Sequence, residues 1–136
     1  MSLIRSLRWN QLLLLALVVS LVGCDAATRK TMIIDQVIQG ANAKKAELLA
    51  QNAEVGDINV RRDGEKDGVL FEYTFKDDFL VDPGFNSETA RQALVEQFRG
   101  NADTAKVLDQ DIYVRFVYKT TNGDVKADVT LKKGDL

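Results

Sequence analysis

Between Leu12 and Val22 the chain is apolar at every position except Ser20, and the pattern then changes. Over residues 29–52, Met32, Ile33, Ile34, Val37, Ile38, Ala41, Leu48 and Leu49 recur at steps of three, four and seven. That spacing predicts one long helix. Gly40 lies mid-helix, where it costs about 1 kcal/mol against alanine. From Ile58 to Arg62 and from Val69 to Phe75 the period drops to two, as in half-buried strands. Asp63-Gly64 and Asp67-Gly68 lie between the two runs and favour a hairpin, with its register open. A second helix follows, with Ser87 as its expected N-cap, a buried stripe of Ala90, Leu94, Val95 and Phe98, and a stop at Gly100-Asn101. A short helical piece is expected around Asp103 to Leu108.

The last hairpin is the most closely specified. Asn122-Gly123 is the preferred pair for a two-residue type I′ turn. It sets Tyr118 opposite Ala127, Phe116 opposite Val129 and Val114 opposite Leu131 on one face. On the other face it sets Val117 against Asp128, Arg115 against Thr130 and Tyr113 against Lys132. A slip of one residue would turn every apolar side chain outward. The element order is α-β-β-α-β-β. The expected fold is α+β, a four-stranded antiparallel sheet with two main helices on one face.

Composition narrows the class. With 46 % hydrophobic and 28 % charged residues, one proline and no repeat, 136 residues suit a single globular domain plus a targeting segment. Net charge is −2, and removal of residues 1–23 takes away Arg5 and Arg8, leaving 16 basic against 20 acidic side chains. A mildly acidic body without a basic stripe argues against nucleic-acid binding. The absence of histidine removes the usual neutral-pH base and the commonest metal ligand. A single cysteine allows neither an intramolecular disulfide nor a cysteine-based zinc site.

That cysteine ends the apolar run. Arg5 and Arg8 form a positive n-region, Leu12 to Val22 an h-region, and Leu21-Val22-Gly23-Cys24 closes it. The run would be roughly 16 Å long as a helix at ~1.5 Å per residue, too short for a bilayer core of ~30 Å. An ordinary secretory signal would end in an A-x-A-like site, which Leu21-Val22-Gly23 is not. Leu21-Val22-Gly23-Cys24 resembles the lipobox of bacterial membrane lipoproteins. The resemblance implies lipidation of Cys24, cleavage before it, and acyl chains that hold the protein to a membrane. It also implies a sorting role for Asp25, whose place after the cysteine favours the inner membrane over the outer. The organisation expected is therefore a signal peptide at 1–23, a lipidated tether at 24–30 reaching about 20 Å, and one extracytoplasmic domain at 31–136. The body, by its element order and its final hairpin, resembles small uncharacterised lipoprotein domains of bacteria.

Candidate chemistry is sparse. The acidic stretch 76–88 contains Asp82, Asn86 and Glu88, which could offer oxygens to calcium, although their spacing is not that of an EF-hand. A solvated loop leading into the helix cap is the favoured reading there. Phe79, Leu80, Val81 and Phe85 of the same stretch are candidates for partner docking if they project outward, and for core if they close the end of the helix layer. Asp77-Asp78 and Asp109 with Asp111 show no partner pattern for acid–base work, and Ser87 lacks an evident base. The sequence therefore points to a non-enzymatic envelope lipoprotein without cofactor or metal, whose domain binds or positions another envelope protein. The alternatives are a periplasmic small-ligand or ion-binding module and a pilotin-like secretion chaperone. The latter would need transport to the outer membrane, against Asp25.

Overall fold

The computed structural model describes residues 25–76 and 84–136. The signal peptide, Cys24 and the segment 77–83, with Phe79, Leu80 and Val81, lie outside the described residues. Along the described chain the elements are α1 (Ala26–Gln51), β1 (Val55–Arg62), β2 (Gly68–Phe75), α2 (Ser87–Phe98), α3 (Ala102–Asp109), β3 (Tyr113–Lys119) and β4 (Val125–Leu131). The α+β class is as expected, with the short third helix standing as an element of its own.

Helix α1 runs unbroken through Gly40, and its buried residues Ile33, Ile34, Val37, Ala41 and Leu48 span nearly its whole length. It begins three residues earlier than the hydrophobic period shows, because Asp25 caps it. The Asp25 carboxylate accepts the Thr28 N–H at 2.7 Å, and its carbonyl accepts the Arg29 N–H at 3.0 Å. Residues 26–30 are thus the first turns of a helix and not an extended tether.

The sheet order is β1-β2-β3-β4. β1–β2 and β3–β4 are antiparallel, but β2 and β3 run parallel, so the expectation of a wholly antiparallel sheet is corrected. Parallel neighbours need a crossover connection, and α2 with α3 supplies it: they carry the chain from the end of β2 back to the end where β2 began. Along this junction the rings pair in register. Phe71 stacks on Phe116 at 5.3 Å and Tyr73 on Tyr118 at 5.0 Å. The alternating residues Ile58, Val60, Val69, Phe71, Tyr73, Phe75, Val114, Phe116, Tyr118, Ala127, Val129 and Leu131 all enter one core beneath the helices.

β1 is longer than its alternation suggests. A bulge between Val55 and Asp57, at Gly56, lets pairing continue to Val55–Phe75. The β3–β4 pairs occur as expected from Tyr118–Ala127 to Val114–Leu131, yet the turn is a different one. Among the described residues from Thr120 to Asp124, Gly123 alone is left-handed, at φ 86°, so Asn122 does not take the type I′ conformation. Thr120 and Asp124 instead close a three-residue loop, with the Gly123 N–H donating to the Thr120 carbonyl at 2.9 Å. A register shift at Tyr118/Lys119 leaves Lys126 as the extra residue and restores the expected pairs. At the other end the ladder stops before Tyr113–Lys132, because the Lys132 N–H turns to the Asp135 carboxylate at 2.8 Å.

The helices also reach the sheet edges. Beside β4, the Ser87 hydroxyl accepts the Asp128 N–H at 3.0 Å and Arg91 donates to the Thr130 carbonyl at 2.9 Å. Ser87 is free for this because the N-cap of α2 is Asn86 and not Ser87 as expected. At β1, Lys45 of α1 reaches round the edge to Asp57 on the opposite face of the sheet, at 2.9 Å. An exposed strand edge is a template for unwanted pairing, and at β4 the helix takes up two of its backbone groups.

Candidate docking region

Two ends of the sheet differ in what they present. At one end lie the start of α1, the β1–β2 turn, the start of β3 and the end of β4. Lys30 meets Asp67 there at 3.5 Å, and Asp67 also pairs with Arg62 at 3.1 Å. At the opposite end β2 and β3 finish, Lys76 donates its N–H to Glu54 at 2.9 Å, and the chain re-emerges at Gly84. The candidate docking segment is thereby attached at this second end on both sides.

Phe85 is the one candidate docking residue that is described. It is 7 % exposed and stands edge-on against Tyr118 at 5.5 Å and Phe75 at 6.2 Å. The capping box of α2 fixes it there. Asn86 accepts the Thr89 N–H at 2.9 Å, and the Asn86 N–H donates to Thr89 at 3.0 Å. Phe85 is therefore a core wedge and not an outward contact. The same geometry bears on the calcium reading, since the Asn86 side-chain oxygen is committed to the cap and Glu88 is exposed in the first turn. Among the described residues, no group of three acidic or sulfur ligands is placed to hold a metal ion.

This end of the core also buries polar atoms. Asn52 donates to the Leu48 carbonyl at 2.9 Å, while its own oxygen, the Tyr73 hydroxyl and the Thr120 hydroxyl have no hydrogen-bond partner among the described residues. Burial pushes the Tyr73 hydroxyl far above the ordinary tyrosine range. Such atoms are costly when left dry, and three of them gather at this end among the described residues.

The face of the sheet away from the helices carries charge in an ordered lattice. Glu72 receives Arg61 at 3.4 Å and Lys119 at 3.1 Å. Burial pushes Glu72 up, but these two cations outweigh it and leave the carboxyl below its usual range. Arg115 grips Asp128 with two bonds, at 2.9 and 2.6 Å, and this bidentate contact holds Asp128 below the usual carboxylate range. Tyr113 donates to Asp63 at 2.5 Å; burial first, then that carboxylate, push its hydroxyl up to about 12. Beneath these groups Leu70 and Val117 are buried although they belong to the outer face. The alternation shows these positions as polar but gives no sign of their mutual pairing. Asp109 and Asp111 sit exposed near the end of α3, apart from any such network.

No protein-family model matches the chain, and no curated protein matches it. Among solved structures the chain is similar to EpsS, described as the pilotin from the Vibrio vulnificus type 2 secretion system. The TM-score is 0.59 at 12 % identity, covering 82 % of this chain and 94 % of EpsS. The fold resembles that of a pilotin. A second such protein, the type II secretion system pilotin AspS from Vibrio cholerae, aligns at a TM-score of 0.46 and 24 % identity over 82 % of this chain and 99 % of AspS. Among the described residues, no helix is long and apolar enough to cross a membrane.

Proposed function

We propose that this chain is a lipid-anchored, non-enzymatic envelope lipoprotein that acts as pilotins do, escorting or positioning a component of a secretion system. The observation that carries this reading is the fold likeness to EpsS, which takes in 94 % of that pilotin. The lipobox at Leu21-Val22-Gly23-Cys24 supports it, because a lipidated escort draws its cargo to a membrane.

Asp25 stood against this reading as an inner-membrane signal. Its carboxylate now has a structural occupation as the N-cap of α1. An aspartate is among the residues a helix start prefers, so its presence is explained without any sorting role, and the outer membrane is the destination this reading favours. The docking end is the one framed by Lys76 and Gly84, where the segment bearing Phe79, Leu80 and Val81 is attached.

The test is affinity capture of the lipidated chain from detergent-solubilised envelopes, with mass spectrometry of what accompanies it. A secretion-system component is expected, depleted when Phe79, Leu80 and Val81 are changed together to serine in a protein that still folds. Deletion of the chain should also mislocalise that component. Unaltered placement of secretion components in the deletion strain would overturn the proposal.

A further inference from the structure

We infer that the domain is held on the bilayer in one orientation, with the first turn of α1 and the β1–β2 turn against the headgroups and the Phe75–Phe85–Thr120 end facing away. This rests on the proposed lipidation of Cys24. A tether of several free residues would let the domain tumble, but the chain leaves no such length. Asp25 is the only residue between Cys24 and the first helical residue, and it is itself fixed, with ψ 166° and bonds to Thr28 and Arg29. One extended residue spans about 3.5 Å, against the ~20 Å of a six-residue tether.

The helix that meets the lipid is fused to the body. Its buried residues extend from Ile33 to Leu48, so α1 cannot swing independently of the sheet. At its N-terminal turn, Lys30 pairs with Asp67 of the β1–β2 turn at 3.5 Å. These two features fix which end of the sheet lies beside the anchor. The side chains there mix signs, Lys30, Arg62 and Lys66 with Asp63, Glu65 and Asp67, so an anionic bilayer does not repel that end as a whole. A 26-residue helix rises about 39 Å at ~1.5 Å per residue, which sets the docking end nearly a domain's length above the membrane. A bulky membrane partner would meet that end without competing with the headgroups.

Lipidated full-length protein is reconstituted in 3:1 phosphatidylethanolamine–phosphatidylglycerol vesicles carrying a headgroup spin label. A fluorophore is attached through Lys66→Cys or through Thr121→Cys, both exposed positions at opposite ends of the sheet. Cys24 is the chain's only cysteine and its sulfur is consumed by the lipid thioether, so the introduced thiol alone reacts. Quenching is expected to be at least threefold stronger at position 66 than at position 121. A ten-residue Gly-Ser insertion between Cys24 and Asp25, which keeps the helix cap intact, should bring the two values together. Equal quenching at both sites without the insertion, or a difference that survives it, overturns the inference. Failure of the lipidation reading shows itself separately: unaltered protein then fails to float with the vesicles and Cys24 reacts with maleimide, and the inference falls with it.

Discussion

Gly68 and Tyr113 form a pair whose energetics can be worked out in advance. They are directly opposite in the parallel β2–β3 register, and the Tyr113 ring lies over the glycine. A Cβ at position 68 would clash with the Tyr113 ring carbons Cζ, Cε1 and Cε2, and Gly68 is not left-handed, so space and not backbone conformation demands glycine here. Gly68→Ala must therefore expel the ring and break the 2.5 Å bond from Tyr113 to Asp63. A hydrogen bond to a charged group contributes about 1.5–3 kcal/mol, and the alanine returns about 0.5–1 kcal/mol by restricting the unfolded chain. The net loss is about 1–2 kcal/mol. In a Tyr113→Ala background the obstruction is gone, and Gly68→Ala should become neutral or stabilising by about 0.5 kcal/mol. Urea unfolding of the four proteins closes the cycle, and the expected signature is a reversal of sign, not merely a smaller effect. Equal destabilisation by Gly68→Ala in both backgrounds would refute this, since the ring would then not be what excludes the methyl group.

Other expectations follow from single sites. Gly40→Ala should stabilise by about 1 kcal/mol, raising the melting temperature by roughly 4 °C, because a Cβ there meets nothing within 4 Å. Phe85→Ala should cost about 3 kcal/mol in chemical denaturation, as befits a buried ring; a loss below 1 kcal/mol would show that it is a surface contact. Asp57, Glu72, Asp128 and Asp135 are all held below their ordinary values, so their contribution is present above the unfolded carboxylate range near pH 4. It disappears as pH falls through the lower folded values, and thermal melts between pH 6 and pH 3 should show a decline confined to the acidic side. Trp9, the only tryptophan, lies in the segment proposed to be cleaved, so protein extracted from membranes should emit as tyrosine alone.

The β3–β4 hairpin shows how a sequence can specify a register without specifying its turn. Val114, Phe116 and Tyr118 must face the same side as Ala127, Val129 and Leu131, and that requirement survives any change in the loop that joins them. The two-residue and three-residue loops differ by one in pairing, and the extra residue at Lys126 absorbs the difference. Local chemistry at Asn122-Gly123 marks the place of reversal, while the buried face decides what pairs with what. The direction of β3 relative to β2 had no such local carrier. It depends on where α2 and α3 deliver the chain, and that is set by docking of α2 along β4 through Ser87 and Arg91, residues from distant parts of the sequence.

The candidate site obeys the same division. Burial of Phe85 follows from its place one residue before a capping box, a pattern present in the sequence as Asn86 and Thr89 but masked by the equally plausible cap at Ser87. Asp25 shows the reverse difficulty, since one carboxylate fits both a sorting signal and a helix cap, and the helix start at Ala26 reveals only the second. A neutral cap former distinguishes the two physically. Asp25→Asn keeps an oxygen to accept the Thr28 N–H and removes the charge, so a capping residue tolerates it with little change in melting temperature. Asp25→Ala loses the acceptor and should lower the melting temperature, leaving membrane distribution unchanged if capping is its role. Redistribution between membranes in both variants, with stability unaffected in either, would instead assign Asp25 the sorting role and favour the inner membrane for the proposed lipoprotein.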